Sequence, residues 1–247
     1  DFNTLSAARQ KIVKNALRDF RLSGAELEGP DRERFREIVS ELSTLCNQFD
    51  QNLMDATDHW VLDIEAESDL EGLPQSAVEL ARQTAEDASL HGWRFSLQAP
   101  SYIPFMMFCE NRTLRQKMYE AYVTRASDQG PDAGQFDNGP LMVRILTLRA
   151  EMASLLGFEN YAQYALEGRM AGSAKEVGDF LRTLAGCAKD AGAKELEALR
   201  RFAFEEYGEE HLEAWDIAFY SEKLKQSLYA FSDEAIRPYF PLPKVLK

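Results

Sequence analysis

The sequence predicts a mainly α fold: a bundle of long amphipathic helices with a minor two-strand β element. Three observations carry that expectation. Apolar residues recur every three or four positions along most of the chain, as they do in helices that bury one face. The period falls to two in only two short stretches, each the length of a small strand. Glycine and proline, 14 and 9 in 247 residues, mark many of the boundaries between these stretches.

In chain order, Leu5, Ala8, Ile12, Ala16 and Phe20 trace a first helix that closes at Gly24. Pro30 stands at a first-turn position of a second helix, whose stripe of Phe35, Ile38, Leu42, Leu45, Phe49 and Leu53 runs to about Asp58. At 1.5 Å per residue that helix is about 40 Å long and needs partners on its apolar side. Trp60, Leu62 and Ile64, and later Trp93, Phe95 and Leu97, alternate and predict two strands, either a parallel pair or two edges of a tiny sheet. Between them Gly72-Leu73-Pro74 breaks the chain, and Ala77, Leu80, Ala81, Thr84 and Ala88 predict a small-residue helix ending near Gly92.

Pro100 and Pro104 bracket the apolar stretch from Tyr102 to Phe108, which is expected to form no single regular element. Asn111 is placed to cap a helix carrying Leu114, Met118, Ala121 and Tyr122. The run from Ser127 to Gly134 is the strongest loop signal, a boundary or a mobile flap. It divides the chain into a helical region with two short strands (1–126), a loop (127–139) and a second helical region (140–247). After Pro140 a stripe of Leu141, Ile145, Leu148, Met152 and Leu155 ends at Gly157, and a short helix follows from about Asn160 to Met170. Ser173 and Glu176 have capping-box spacing and open a helix carrying Val177, Phe180, Leu181, Leu184, Ala188, Leu196, Leu199 and Phe202 towards Tyr207. Gly178, Gly186 and Gly192 each cost it about 1 kcal/mol against Ala, which allows a bend or a break. Trp215 to Tyr229 forms a further helix, and Ser232-Asp233-Glu234 caps a last turn before Pro238, Pro241 and Pro243.

Composition excludes several function classes. With 41 acidic against 28 basic side chains the net charge is -13 and no basic stripe relieves it, so no nucleic-acid partner is expected. Cys46, Cys109 and Cys187 are odd in number and far apart, which excludes a disulfide framework and a Cys-x-x-Cys site and suits a reducing, cytoplasmic setting. No apolar run approaches the ~18–20 residues of a membrane span, so no membrane partner is expected. Residue 1 is Asp, and the helical pattern begins at once, as in a processed chain or a piece of something longer.

Chemistry-bearing motifs are sparse. His59, His91 and His211 sit in no H-E-x-x-H or E-x-x-H spacing, so no metal site is expected within the chain. Asp55 and His59 are four apart on a helix, one edge of a metal site or simply a local pair. Glu205, Glu206, Glu209, Glu210, His211 and Glu213 crowd around Gly208 and read as a solvated charge cluster. The acidic loop from Asp128 to Asn138 has Gly130 where a calcium loop needs an oxygen ligand, and lacks its terminal Glu. Phosphate-binding glycine loops and the G-x-S-x-G elbow are absent. A Cys109 nucleophile would need a histidine from a distant segment, and a buried structural thiol is the plainer reading. Aromatic clusters at Tyr102–Phe108, at Tyr161 with Tyr164, and at Trp215, Phe219 and Tyr220 read first as core. In the third, Asp216 and Tyr220 put a carboxylate and a phenol on one helical face, where they could line a polar groove.

Five stretches resemble a known family: Asn111–Tyr122 (NRTLRQKMYEAY), Arg125–Gly130 (RASDQG), Leu156–Ala162 (LGFENYA), Trp215–Lys223 (WDIAFYSEK) and Ile236–Pro241 (IRPYFP). In these and in order along essentially the whole chain, the sequence resembles the oligopeptidase A/thimet oligopeptidase family of zinc metallopeptidases. The resemblance implies a predominantly helical fold with two lobes flanking a deep channel that admits short peptides. It also implies zinc held by the two histidines of H-E-x-x-H and a later Glu, with the motif Glu activating water. None of those residues is present, so the chain resembles the portion preceding the motif. Zinc is therefore implied for the full-length parent, with no cofactor and no catalytic residue expected here. By the same resemblance Trp215, Asp216 and Tyr220 are candidates for the substrate-channel wall or lobe junction, although Phe219 replaces the first tyrosine of the family's usual Tyr-Tyr pair.

The expected function is the pre-catalytic helical portion of a cytosolic zinc metallo-oligopeptidase that hydrolyses short peptides. Alone it would be inactive, and it would meet a missing C-terminal catalytic half or self-associate through an exposed face. The alternative is a self-sufficient acidic helical module that binds a peptide or protein without catalysis and is polar all round.

Overall fold

The computed structural model describes residues 2–229, 239–241 and 244. Among them the chain is mainly helical. It comprises α1 (Ala7–Leu22), α2 (Gly29–His59), β1 (Val61–Ile64), α3 (Gln75–Asp87), β2 (Trp93–Ser96), α4 (Ala99–Phe108), α5 (Arg112–Val123), α6 (Gly139–Leu155), α7 (Tyr161–Leu166), α8 (Ala174–Tyr207) and α9 (Ile217–Tyr229). Short 3-10 turns occur at Phe2–Thr4, Glu67–Leu70 and Ala214–Asp216. The turn expected at Ser232–Glu234 lies outside the described residues.

The chain divides into two compact units, each built from two stretches: residues 1–51 with 138–188, and residues 52–137 with 189–247. The first unit packs Phe35 and Ile38 of α2 against Leu148 and Met152 of α6, with Leu27, Leu42, Leu45, Tyr161 and Tyr164 around them. Bidentate pairs flank this core: Arg34 on Glu151 (2.6 and 2.8 Å) and Arg144 on Glu41 (2.6 and 2.8 Å). Not every expected stripe is covered. Ile12 and Phe20 of α1 are 66% and 63% exposed, and α1 contains no buried residue. Phe180, Leu181 and Leu184 of α8 are likewise more than half exposed. Periodicity shows which face is apolar, but it does not show that a partner is present to cover it.

In the second unit β1 and β2 pair antiparallel, Val61 opposite Ser96 and Ile64 opposite Trp93, which decides between the two pairings open to the sequence. Gly92 precedes β2 with φ +90°, and a Cβ there would run into the carbonyl oxygen of Ile64, so only glycine lets the strands approach. Ile64, Leu70, Ala81, Phe95, Leu97, Phe105, Met106, Cys109, Met118 and Ala121 form the core, in which Phe95 and Phe105 meet edge to face at 4.7 Å. Ala77, Ala81 and Ala85 form the buried face of α3, whereas Leu80, expected on that stripe, is 43% exposed.

The largest departure is α4. The stretch expected to be irregular is a single helix, with Pro100 in its first turn and Pro104 inside it. Pro100 removes only an N–H that has no intrahelical acceptor. Pro104 forfeits one bond, and burial of Ser101, Phe105 and Met106 outweighs that loss. Elsewhere α7 is shorter than its apolar pattern, and α8 runs unbroken through its three glycines, carried by many Ala, Leu, Glu, Lys and Arg residues. At its start Ser173 Oγ accepts the Glu176 N–H (3.1 Å), and the Glu176 carboxylate accepts the Gly172 N–H (2.7 Å). A 3-10 turn at Ala214–Asp216 leads into α9, so Trp215 and Asp216 lie on the turn and Tyr220 on the helix.

Candidate functional site

The three singled-out residues meet at the base of α9, beside the N-terminus of α5. Asn111 Oδ1 accepts the Leu114 N–H (3.2 Å) and starts α5 as its sequence suggested. The cap brings Arg112 and Arg115, three apart, to one face of the helix. Both reach Asp216, which is completely buried. Arg112 donates from Nε (3.0 Å) and Nη2 (2.6 Å) to Oδ2, and Arg115 Nη2 donates to Oδ1 (2.9 Å). Asp216 Oδ2 also accepts the Glu213 N–H (3.0 Å), and the Glu213 side chain returns the bond to the Asp216 N–H, a capping box around the 3-10 turn.

Burial raises the Asp216 pKa, but the bonds from Arg112, the Glu213 N–H and Arg115 outweigh it and hold the carboxyl below its usual range. Arg115, 1% exposed, also donates from Nη1 to the carbonyls of Cys109 (2.7 Å) and Glu110 (3.2 Å) just past the end of α4, and lies over Phe219 at 4.0 Å. Arg112 is partly exposed and pairs with Glu209 (3.1 Å), while its Nη2 reaches the His211 carbonyl (2.9 Å).

Tyr220, 6% exposed, is edge-on to Tyr207 (5.5 Å) and Phe219 (5.1 Å). Burial first, then the Glu209 and Asp216 carboxylates, raise its phenol above the ordinary value. The carboxylate and phenol thus point into protein rather than into a groove. What opens to solvent is a cleft of about 400 Å³ lined by Arg112, Thr113, Gln116, Glu209, His211, Glu213 and Trp215. Trp215 stands edge-on to Tyr119 (6.2 Å), and its buried indole N–H has no partner among the described residues.

Arg112 and Arg115 are the residues that sequence reasoning missed. Their signal was the Asn-Arg-x-x-Arg run, an N-cap followed by two cations on one face, but their acceptor is more than 100 residues away. The glutamate-rich run is partly structural, since Glu209 pairs with Arg112 and Glu213 caps the turn. Nor is a metal centre assembled among the described residues, where no three His, Cys, Asp or Glu side chains come together. His59 lies 3.8 Å from Asp132, and His211 borders the cleft. Cys109 is fully buried, and burial pushes its thiol up to about 11, as expected of a structural cysteine.

Comparison with known proteins shows the family. The description "Peptidase family M3" matches residues 105–247, a stretch that includes α5, the Asp216 turn and α9. The chain belongs to peptidase family M3. Oligopeptidase A of Haemophilus influenzae is 50% identical over 246 residues, covering 100% of this chain and 36% of that protein. Oligopeptidase A of Escherichia coli is 50% identical over 245 residues, with 99% and 36% covered. A more distant relative, dipeptidyl carboxypeptidase of Escherichia coli, is 27% identical over 237 residues, with 96% and 34% covered. The chain thus spans about a third of the length of the curated relatives it matches. No helix among the described residues is long and apolar enough to cross a membrane.

Proposed function

We propose that this chain is the helical portion, preceding the catalytic motif, of a cytosolic zinc oligopeptidase that hydrolyses short peptides. The observation that carries the reading is half-identity to oligopeptidase A along the entire chain, which accounts for about a third of those proteins. The described side chains offer no fit for a catalytic zinc, having no cluster of three metal-ligating groups. In this reading the metal and its general base belong to the remainder of the parent, and this portion contributes shape.

Within it, Trp215 forms part of the wall facing substrate, and Asp216 and Tyr220 stand behind it. The Arg112–Asp216–Arg115 cluster fixes the turn that carries the indole, and Arg112, Glu209 and Glu213 line the same cleft beside it. Exposed Ile12, Phe20, Phe180, Leu181 and Leu184 support a portion that docks on further protein, or failing that on a second copy, over a self-contained module that is polar all round.

The test replaces the matched region of Escherichia coli oligopeptidase A with this chain and follows cleavage of a short quenched fluorescent peptide. The chimera is expected to cleave it, chelator is expected to abolish cleavage, and the isolated chain is expected to be inert. Chelator-sensitive cleavage by the isolated chain would overturn the proposal.

A further inference from the structure

Within the unit of residues 1–51 and 138–188, α2 and α6 border a groove of about 510 Å³. Phe49 of α2 and Met142, Ile145 and Leu146 of α6 form its apolar part, the last three at spacings that keep side chains on one helix face. Ile145 is buried, whereas Met142 and Leu146 are 47% and 63% exposed, so much of this surface meets water. A concave, mainly apolar lining with a few polar groups is the make-up of a small-ligand site.

Two charges complete the lining. The Asp50 carboxylate has no hydrogen-bond or ion-pair partner among the described residues, and the Arg149 guanidinium meets only the Tyr161 ring, 5.0 Å away. The same two helices do satisfy their other cross-helix arginines, Arg34 on Glu151 and Arg144 on Glu41. Those pairs, with Asn138 Nδ2 donating to the Phe49 carbonyl (3.1 Å), set α2 and α6 antiparallel. Asp50 therefore stands where α6 begins, and Arg149 lies further along α6, about 15–20 Å away at 1.5 Å per residue. Helical side chains lean towards the N-terminus of their helix, which carries the guanidinium back over the apolar part. The gap that remains, about 10–15 Å, is the reach of about three to five extended residues at 3.3 Å each.

We propose that this groove binds short apolar peptides with free ends, the ammonium on Asp50, the carboxylate on Arg149 and the side chains on Phe49, Ile145 and Leu146. Charge complementarity selects this occupant. An apolar anion such as a fatty acid leaves Asp50 unpaired, and an internal stretch of a protein brings neither end charge. The groove is a second peptide site beside the cleft at Trp215, and it rests on its own geometry. Failure of a peptide to bind here would leave the family reading intact, and an inert chimera would say nothing against the groove.

Cys46 lines the same groove and supplies the readout, because a bound peptide covers its thiol. The 247-residue chain is alkylated with iodoacetamide at increasing concentrations of the tetrapeptide Leu-Ala-Leu-Ala, and mass spectrometry follows Cys46, with exposed Cys187 as the internal control. Alkylation of Cys46 should slow, half-maximally at or below about 1 mM peptide, while Cys187 keeps its rate. Acetylating the amino end or amidating the carboxyl end should each weaken protection about two- to five-fold, the worth of a solvent-exposed ion pair. Arg149→Met should weaken protection by the free peptide by the same factor and leave that by the amidated peptide unchanged; Asp50→Asn should do likewise with the acetylated one. An unchanged Cys46 rate at about 10 mM peptide, equal slowing of Cys187, equal protection by a peptide blocked at both ends, or an Arg149→Met effect that persists with the amidated peptide would each overturn the proposal.

Discussion

Removing the Asp216 carboxylate tests the central physical claim about the site, that a buried anion holds two elements through two arginines. In Asp216→Ala, Arg112 can turn to solvent, because 41% of its side chain is already exposed and Glu209 remains beside it. Arg115 cannot, with 2% of its side chain exposed. The variant therefore leaves one buried cation with only carbonyl acceptors and the Phe219 face, which costs about 3–5 kcal/mol. Loss of the cap on the Glu213 N–H adds about 1 kcal/mol. Trp60, Trp93 and Trp215 all lie in the unit formed by residues 52–137 and 189–247, so tryptophan fluorescence during urea unfolding reports that unit specifically. Asp216→Ala with Arg115→Met removes the buried charge and keeps an apolar chain on Phe219, and should recover all but about 1–2 kcal/mol. The pH dependence has a definite sign. The folded-state carboxyl lies below its ordinary range, so its stabilisation is complete above about pH 4 and is lost as pH falls through the depressed value. Asp216→Asn should flatten that acid limb. A single variant within about 1 kcal/mol of wild type, or a double variant no better than the single, would refute the buried-cation account.

Three further outcomes are expected from the burial and backbone geometry of the chain. Iodoacetamide at pH 8 should label exposed Cys187 first and half-buried Cys46 next, leaving Cys109 unlabelled until the chain unfolds, because burial keeps its thiol protonated with a pKa of about 11; mass spectrometry reads the order. Gly92→Ala should lower the tryptophan-reported stability by about 1–3 kcal/mol, because its φ of +90° and the Ile64 carbonyl leave no room for a methyl group. Phe180→Ser with Leu184→Ser should reduce binding of a hydrophobic dye and any concentration-dependent sedimentation of the chain, with urea stability unchanged, since both side chains already face solvent.

Much of the helical architecture is legible from local chemistry. Pro30 in the first turn of α2, Asn111 capping α5 and Ser173 capping α8 act over three or four residues, and their donors and acceptors lie within the same short stretch. Reasoning from short range fails where tertiary burial decides. Two prolines in ten residues argue against a helix, yet α4 forms because its buried face brings Phe105 and Met106 into the core, a gain that no local rule counts. Exposure is hidden for the complementary reason. Leu80 of α3 and Phe180 of α8 have the spacing of buried residues, and whether such a face is covered depends on what stands opposite.

The site shows the same division between residue type and partner. Trp215, Asp216 and Tyr220 attract notice because an acid among aromatics is unusual, and the structure brings Asp216 and Tyr220 to Arg115 and Phe219, while Trp215 stands against Tyr119. The orientation of the carboxylate could not be read, because that depends on which cations arrive. In a chain of net charge -13, an acidic residue taken alone reads as solvated. A buried one instead requires a cation, which narrows the search to arginines on an otherwise apolar helix face. Arg115, spaced three before buried Met118 and six before buried Ala121, fits that description within α5. Pairing it with Asp216 makes the aspartate a positioning residue for the turn that carries Trp215.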